Sequence, residues 1–390
     1  MEEIERAPRH GAPSVTRGLC VSRATFTTLS NLVPHRYTEA MRCLRLVRTP
    51  VGWIVAAISI VLSAADPQSP PTDAEQRAVA YLSQEVPNWP RQNHCFSCHN
   101  NGDAARALYV ARALSHRVPP DALQQTTAWL LDPPAWDDPK GDPGFSDLKL
   151  ARIQFAAALT EAVQTAAVND KKALTLAADR LLMDQEDDGS WDVDVPGVVG
   201  SPATYGDALG TYMARRTLTV SGESRFADAV ARTDAWFMSA KPAATVDVCA
   251  VALALADRLK GTAQFPAPPE PNASLQQKHH GLIERLVANQ NSDGGWGPYP
   301  KSPSEPFDAA VALLALAAAS GVNAIDQEAA EKAIAQGRNY LIGVQLPVGG
   351  WIETTRPSGS QSYAQHISTS GWATLALLKT RNHEDANEPR

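Results

Sequence analysis

The sequence predicts an all-α fold, a single closed double ring of six helical hairpins, or (α/α)6 toroid. Three observations predict it. A short turn motif recurs along the chain, residues 66–390 divide into six repeats of about 54 residues, and amphipathic segments alternate with apolar ones. The amphipathic segments suit an outer layer of helices, and the apolar ones suit an inner layer. An open solenoid is the alternative, although its end repeats usually carry polar caps.

The recurring turn occurs three times with little variation. It reads LLMDQEDDGSW at 181–191, LVANQNSDGGW at 286–296 and LIGVQLPVGGW at 341–351. The glutamines are 105 and 55 residues apart, so the longer interval has room for two repeats. A weaker unit at 226–240 fills that interval, and the segments 78–84 and 125–131 match the ends of further outer helices.

Each predicted inner helix has a small, apolar sequence that begins at a polar residue. These starting residues are Asp207, Asp247, Asp308 and Ser370. We expect each to be an N-cap, because its side-chain oxygen can accept a hydrogen bond from an orphan backbone N–H. The stretch AAVALLALAAA at 309–319 has no polar side. This helix is therefore expected to be buried all round.

The first 65 residues are predicted to be a separate segment that directs export. Three arginines follow Met41, and an uncharged run then extends from Val51 to Ala65, ending in small residues that a signal peptidase accepts. This run is short for a membrane span, which needs roughly 20 residues, although an uncleaved N-terminal membrane anchor is the alternative. We expect translation to start at Met41, and a toroid domain over 66–390 to lie in the periplasm or outside the cell.

The predicted mature region is acidic. Residues 66–390 contain 27 Lys and Arg against 38 Asp and Glu, whereas residues 1–65 contain eight Arg against four Glu. Nucleic-acid binding requires a basic face that replaces the phosphate counterions, and this region has no long run of Lys or Arg. The composition therefore argues against a nucleic-acid partner.

The three turns resemble the QW motifs of squalene–hopene cyclases and protein prenyltransferases, the α/α-toroid superfamily. The matching residues are Gln185, Trp191, Gln290, Trp296, Gln345 and Trp351. The resemblance implies that each glutamine bonds backbone groups at helix ends, that each tryptophan packs over its turn, and that the turn glycine has φ > 0. These residues would then stabilise the fold and say little about activity.

The resemblance also makes Asp247 a candidate catalytic acid. Hopene-type cyclases protonate an alkene with the middle aspartate of a DxDD motif, and the equivalent stretch here is TVDV at 245–248. The flanking carboxylates are missing, and 25 aromatic residues in the whole chain are few for stabilising carbocations. Asp247 therefore has two competing interpretations: the catalytic acid of an isoprenoid cyclase, or a helix N-cap.

A zinc site is the second enzyme hypothesis that the resemblance raises. Protein prenyltransferases bind zinc with an Asp-x-Cys pair and a later histidine, and the corresponding residues here are Asp247, Cys249 and His366. A buried cysteine and a loop histidine explain the same residues without a metal, so zinc is not the expected cofactor. His279 and His280 fall on a polar outer helix and are expected to be solvated.

One further motif is not explained by the resemblance to these enzymes. The segment NHCFSCHN at 93–100 contains C-x-x-C-H, the attachment sequence of c-type haem. Two thiols at this spacing can add to the vinyl groups of haem, and the adjacent imidazole can bind the iron. The motif predicts Cys95 and Cys98 as thioether anchors and His99 as the proximal iron ligand. The candidate distal ligands are His94, His116 and Met183.

Other interpretations of the two cysteines stay open. A Cys95–Cys98 disulfide or redox dithiol suits an oxidising compartment, although such short loops are strained. A four-cysteine zinc site lacks ligands, because Cys249 is the one other cysteine of the predicted mature region.

The haem interpretation agrees with export, since covalent haem is attached outside the cytoplasm. We expect an exported haem-c protein that transfers electrons to a redox partner protein or binds an apolar ligand near the haem. An isoprenoid cyclase or prenyltransferase-type enzyme and a non-catalytic protein-binding scaffold are the alternatives.

Overall fold

Two concentric layers of helices make up the chain that the structure, a computed structural model, describes. The described residues are 72–138, 148–193, 205–262, 264–266, 273–320, 322, 327–352 and 362–381. Within these ranges the outer helices are α1 (Asp73–Asn93), α3 (Pro120–Leu130), α5 (Lys172–Met183), α7 (Ala227–Ser239), α9 (Ala273–Ala288) and α11 (Gln327–Gly343). The inner helices are α2 (Ala105–Ala113), α4 (Leu148–Gln164), α6 (Gly206–Ser221), α8 (Thr245–Lys260), α10 (Pro306–Ala319) and α12 (Tyr363–Lys379).

The inner helices form a closed ring. Each inner helix packs against the next one in sequence, and α12 packs against α2. The outer helix α1 also packs against α12, so the first and last hairpins meet. The predicted all-α (α/α)6 toroid is therefore confirmed, and the open solenoid is excluded.

The three QW turns join successive outer helices as the resemblance implies. In each turn the glutamine Nε2 donates to the carbonyl of its own turn glycine and to a carbonyl of the following outer helix. The pairs of acceptors are Gly189 and Ala229 for Gln185, Gly294 and Ala333 for Gln290, and Gly349 and Ala74 for Gln345, at 2.8–3.2 Å. The last of these turns bonds α1, so the motif also closes the ring.

Each turn tryptophan and glycine also has its expected geometry. Trp191, Trp296 and Trp351 are buried, and each indole N–H donates to a leucine carbonyl ten residues earlier at 2.8 Å. The turn glycines have φ values between 86° and 101°. A Cβ on Gly294 would lie 2.5 Å from the Gln336 carbonyl oxygen, so only glycine fits there without displacement of backbone.

A buried charge cluster lies where the two chain ends meet. Glu75 of α1 is fully buried, and its carboxylate accepts from Arg381 Nη2 at 2.8 Å and lies 3.4 Å from Arg338 Nη2. Arg338 and Arg381 are themselves buried. Glu75 also completes a capping box with Thr72 at the start of α1. A single buried carboxylate therefore connects the first helix to the last hairpin.

The predicted N-cap positions are wrong, although the helices themselves are confirmed. Asp207, Asp247 and Asp308 lie in the first turns of α6, α8 and α10, two or three residues inside the helix. Ser370 lies in the middle of α12, whose N-cap is Ser362. A carboxylate inside the first turn still interacts favourably with the positive end of the helix dipole, which explains why this pattern resembles a cap. Within the predicted segment 309–319, residues 309–316 and Ala319 are buried, whereas Ala317 and Ala318 are half-buried and line a cavity.

The predicted export segment, residues 1–65, lies outside the described residues, as do residues 66–71. In the part of the chain that the structure describes, no helix has both the length and the apolar character needed to cross a membrane.

Candidate functional site

The C-x-x-C-H motif forms the connection between α1 and α2. The backbone of His94 is left-handed, with φ of 54°, and its N–H donates to the Pro90 carbonyl, which ends α1. A π-helix, Cys98–Ala104, follows and continues directly into α2. Ser97 caps this π-helix, since its hydroxyl accepts from Asn100 N at 3.0 Å. The motif therefore has a defined backbone, and its histidine is in the first turn of a helical segment.

His99 is a buried imidazole with an unused ring nitrogen. It is 8% exposed, and Nε2 has no hydrogen-bond partner among the described residues. Trp89 approaches the ring edge-on, with centroids 5.2 Å apart. Burial lowers the pKa of His99 to about 3, so the ring is neutral at pH 7. A neutral imidazole with an unused nitrogen is the form of histidine that binds a metal ion.

The two motif cysteines differ in environment from the third described cysteine. Cys95 and Cys98 are half-buried thiols that are not joined in a disulfide, and Cys98 Sγ lies 3.9 Å from His99 Nδ1. Cys249 is fully buried, and burial, followed by the charges of nearby carboxylates, raises its pKa well above the usual value. Cys249 is therefore an unreactive core residue, whereas the motif thiols are accessible to covalent chemistry.

An aromatic and hydrogen-bonded wall supports His99, and no local sequence pattern indicates it. Trp89 and Tyr363 stack with ring centroids 5.6 Å apart. The Tyr363 hydroxyl donates to Glu85 Oε2 at 2.7 Å and accepts from Asn100 Nδ2 at 2.9 Å. Burial raises the pKa of Tyr363, so this hydroxyl stays protonated. Tyr363 belongs to α12 and Trp89 to α1, so only closure of the ring brings them together.

The candidate distal ligands are in three different environments. His94 is exposed and belongs to the same turn as His99. His116 is buried in the charge cluster, 3.6 Å from Glu75 and in contact with Arg381. Glu75 precedes Trp89 by 14 residues on α1, about 21 Å along the helix, so His116 is near the opposite end of α1. Met183 ends α5 and is 71% exposed. Of these three residues, His94 is part of the motif turn, and His116 is buried in a separate cluster.

Asp247 lies away from the motif, beside a small cavity at the start of α8. This cavity of about 310 Å³ is lined by Asp207, Trp236, Lys241 and Asp247, among others. His366 of α12 packs edge-on against Tyr81, with centroids 6.0 Å apart. Among the residues that the structure describes, no three His, Cys, Asp or Glu side chains form a group that could hold a metal ion. Asp247, Cys249 and His366 are therefore not assembled as a zinc site.

The interior of the ring is partly filled and partly open. Tyr205, Phe307 and Trp372 are buried and pack edge-on, with centroids 5.7 and 5.8 Å apart. They come from the N-terminal side of α6, from α10 and from α12, so they meet inside the ring. Toward the C-terminal ends of the inner helices a cavity of about 470 Å³ remains, with Tyr212, Leu253, Leu314 and Trp372 in its wall. This volume is within the range of small-molecule sites.

The expectation that His279 is solvated is wrong. His279 is 1% exposed on α9, and burial, together with the charges of Lys260 and His280, lowers its pKa to about 4. His279 is four residues from both Leu275 and Ile283, so all three lie on the inward face of α9. The polar composition of the whole helix does not show that this one position faces inward.

Comparison with known proteins identifies the fold alone. No family model matches the chain, and no curated protein matches it. A possible member of the GH105 family from Klebsiella pneumoniae is similar in structure with a TM-score of 0.55 and 11% identity, covering 85% of this chain and 99% of that one. A polysaccharide lyase is similar with a TM-score of 0.54 and 12% identity, covering 81% and 100%.

A type II terpene cyclase from Scytonema, solved with geranylgeranyl dihydroxybenzoate, has a TM-score of 0.49 and 14% identity, covering 80% of this chain and 97% of that one. The first two similarities agree with the α/α toroid described above. At such low identities the likeness does not extend to activity.

Proposed function

We propose that this chain is an exported c-type haem protein built on an α/α toroid, with haem c attached at Cys95 and Cys98 and bound by His99. The observation that carries the proposal is the His99 imidazole, which is buried and neutral, with an Nε2 that has no protein partner among the described residues. Leaving a buried nitrogen without a partner costs about 1–3 kcal/mol. Bonding to iron removes that cost.

The residues around the motif have distinct roles in this proposal. Cys95 and Cys98 are half-buried, so their sulfurs are accessible for thioether formation. Trp89 and Tyr363 cover the edge of the His99 ring and keep water away from it. Tyr363 and Asn100 are joined by a hydrogen bond that orients the π-helix bearing His99. When bound, haem c supplies a one-electron redox couple or a ligand-binding iron.

The protein would act outside the cytoplasm and would exchange electrons with a redox partner protein. Covalent attachment of haem takes place outside the cytoplasm, so the segment 41–65 would act as a signal for export. A redox partner protein would exchange electrons at the exposed surface beside His94 and Cys95. Of the three candidate second ligands, His94 is the one in the motif turn.

The test is production of the full chain in a bacterium with c-type haem maturation machinery. We expect a red protein whose haem stays attached on a denaturing gel and whose mass is increased by one haem. Cys95→Ser and Cys98→Ser should each lose a thioether bond, which shifts the pyridine haemochrome band and weakens retention of haem. Cys249→Ser is the matched control and should retain full haem, because Cys249 is buried in the core away from the motif.

A colourless protein of unmodified mass from a host that matures another c-type cytochrome would overturn the proposal. A reversible mass loss of two hydrogens in the same sample, abolished by Cys98→Ser, would indicate a Cys95–Cys98 disulfide. The two cysteines would then be a redox dithiol and not haem anchors. Full alkylation of both thiols in native, haem-free protein would favour the alternative of a non-catalytic protein-binding scaffold.

Isoprenoid chemistry at Asp247 has less support. Asp247 lines the small cavity beside Lys241 and Trp236, whereas the larger cavity with apolar walls lies at the other ends of the inner helices. A cyclase needs its acid and its apolar chamber in one place. The matched test is Asp247→Asn assayed with a polyprenyl substrate, and product formation equal to that of the unchanged protein would exclude Asp247 as the catalytic acid.

A further inference from the structure

The cavity at the C-terminal ends of the inner helices is rich in positive charge. Its charged lining residues are Arg106, Arg216, Lys260, Lys379 and Asp257. Glu161 lies next to this wall, where its carboxylate accepts from Arg216 Nη2 at 2.8 Å and Lys379 Nζ at 3.0 Å. Four cations therefore face Asp257 and Glu161, and Asp103 is a third acid near Arg106, in a chain whose formal net charge is −7. This excess is opposite in sign to the protein as a whole.

Arg106 is the most deeply buried of these cations. It is 5% exposed, and its Cζ lies 4.6 Å from the centre of the Trp372 ring. Its Nε is 3.6 Å from Glu161 and has no hydrogen-bond partner among the described residues, while Nη1 contacts the sulfur of Met213 at 3.8 Å. The buried carboxylate of Asp103 also interacts with its charge. A guanidinium has five N–H donors, and these contacts leave at least the Nε–H of Arg106 without an acceptor among the described residues.

Balancing of helix dipoles does not explain this arrangement. Lys260 and Lys379 lie in last helical turns, where cations are favourable whether or not a ligand binds. Arg106 is the ninth residue of the continuous helical segment 98–113, so neither end of a helix accounts for its charge. Four cations against the three acids Asp257, Glu161 and Asp103 therefore leave an excess of positive charge at this wall.

We propose that this cavity binds an amphiphilic organic anion, with its carboxylate or phosphate at Arg106 and Arg216 and its apolar part against Trp372 and Leu314. A guanidinium donates paired hydrogen bonds to either kind of oxyanion. The aromatic and leucine side chains of the wall take up methylene groups, each of which contributes about 0.8 kcal/mol when buried. The site does not use the haem motif, because Cys95, Cys98 and His99 are not among its lining residues.

The first experiment compares four probes that share a ten-carbon chain. Decanoate, decyl phosphate, decanol and decyltrimethylammonium are titrated separately into the purified full chain by calorimetry, at low and high salt. We expect at least one anion to bind about tenfold or more tightly than decanol, since a charged hydrogen bond contributes about 1.5–3 kcal/mol. The difference between decanoate and decyl phosphate identifies the preferred headgroup, and the cation should not bind.

The second experiment removes the charge at the cavity wall. Arg106→Met should weaken binding of the favoured anion about tenfold or more and change decanol binding by less than about twofold. Arg258→Met is the matched control, because Arg258 follows Asp257 on α8 but lies 3.7 Å from Asp234 and is not a lining residue. Lys260→Met is a second variant, at an exposed position that tolerates substitution, and should weaken the anion about threefold.

Three results would overturn the proposal. One is equal affinity for the anions and decanol, and another is no binding of either anion. The third is unchanged anion affinity in folded Arg106→Met. If Arg106→Met does not fold, the proposal is overturned instead when Lys260→Met binds the anion with unchanged affinity and unchanged salt dependence. Loss of haem would leave every one of these measurements intact, so the two proposals fail separately.

Discussion

Neutralising Glu75 is expected to weaken the closure of the ring. Glu75→Gln keeps the size of the side chain and one oxygen, so the capping box at Thr72 can persist while the charge is removed. Two buried guanidinium groups, those of Arg338 and Arg381, would then lie beside a neutral amide instead of a carboxylate. The substitution therefore tests the ion cluster and not the helix cap.

The expected magnitude follows from burial. Arg338 and Arg381 are 1% and 3% exposed and Glu75 is 0% exposed, and removing one partner of such a buried ion pair typically costs 3–5 kcal/mol. Glu186→Gln is the matched control, because its ion pair with Lys149 has side chains that are 47% and 39% exposed. Exposed pairs contribute about 0–1 kcal/mol, so the control should be nearly neutral.

Urea unfolding measures both variants. We expect the midpoint of Glu75→Gln to fall by an amount equivalent to about 3–5 kcal/mol, with little change for Glu186→Gln. A separate early transition in Glu75→Gln would show that α1 detaches before the rest of the ring unfolds. Equal midpoints for the two variants would refute the idea that the buried cluster stabilises closure.

Two further substitutions test the turn geometry and the buried histidine. Gly294→Ala should cost more than about 2 kcal/mol in urea unfolding, because φ is +86° and the new Cβ would lie 2.5 Å from Gln336 O. Gly281→Ala, inside α9 with nothing within 4 Å, should instead stabilise by up to about 1 kcal/mol, and a loss equal to that of Gly294→Ala would contradict the argument. The third prediction concerns pH. The folded pKa of His279, about 4, lies below its unfolded value of 6.5, so the stability from its neutral form is present above pH 6.5 and is lost as the pH falls toward 4. The loss is on the order of 3 kcal/mol. His279→Gln should show a correspondingly shallower fall in urea midpoint over this range, and an unchanged profile would refute the assignment.

Features that depend on nearby residues could be predicted from the sequence. The Gln345 amide bonds the carbonyl of Gly349, four residues later, and the glycine conformation is required by that same turn. Recurrence of the turn at about 55 residues then indicates repeated hairpins. The thiols and imidazole of the haem motif are equally local, since Cys95, Cys98 and His99 span five positions.

Features that depend on distant residues could not be predicted. His99 gains its wall from Tyr363, and Glu75 gains its partner from Arg381, in each case from the other end of the described chain. The inward position of His279 depends on the rotation of α9 against its neighbours, which the polar composition of that helix does not reveal.

Sequence alone determined the helical repeat, the turn that links three of the outer helices to the next one, and the motif on which the haem proposal rests. Only the tertiary structure decided that the ring closes, that the His99 nitrogen has no partner among the described residues, and that four cations from four inner helices surround one cavity. The reason is physical. Turn geometry and thiol spacing depend on bonds within a few residues, whereas burial and electrostatic fields arise from side chains that meet only when the whole chain is folded.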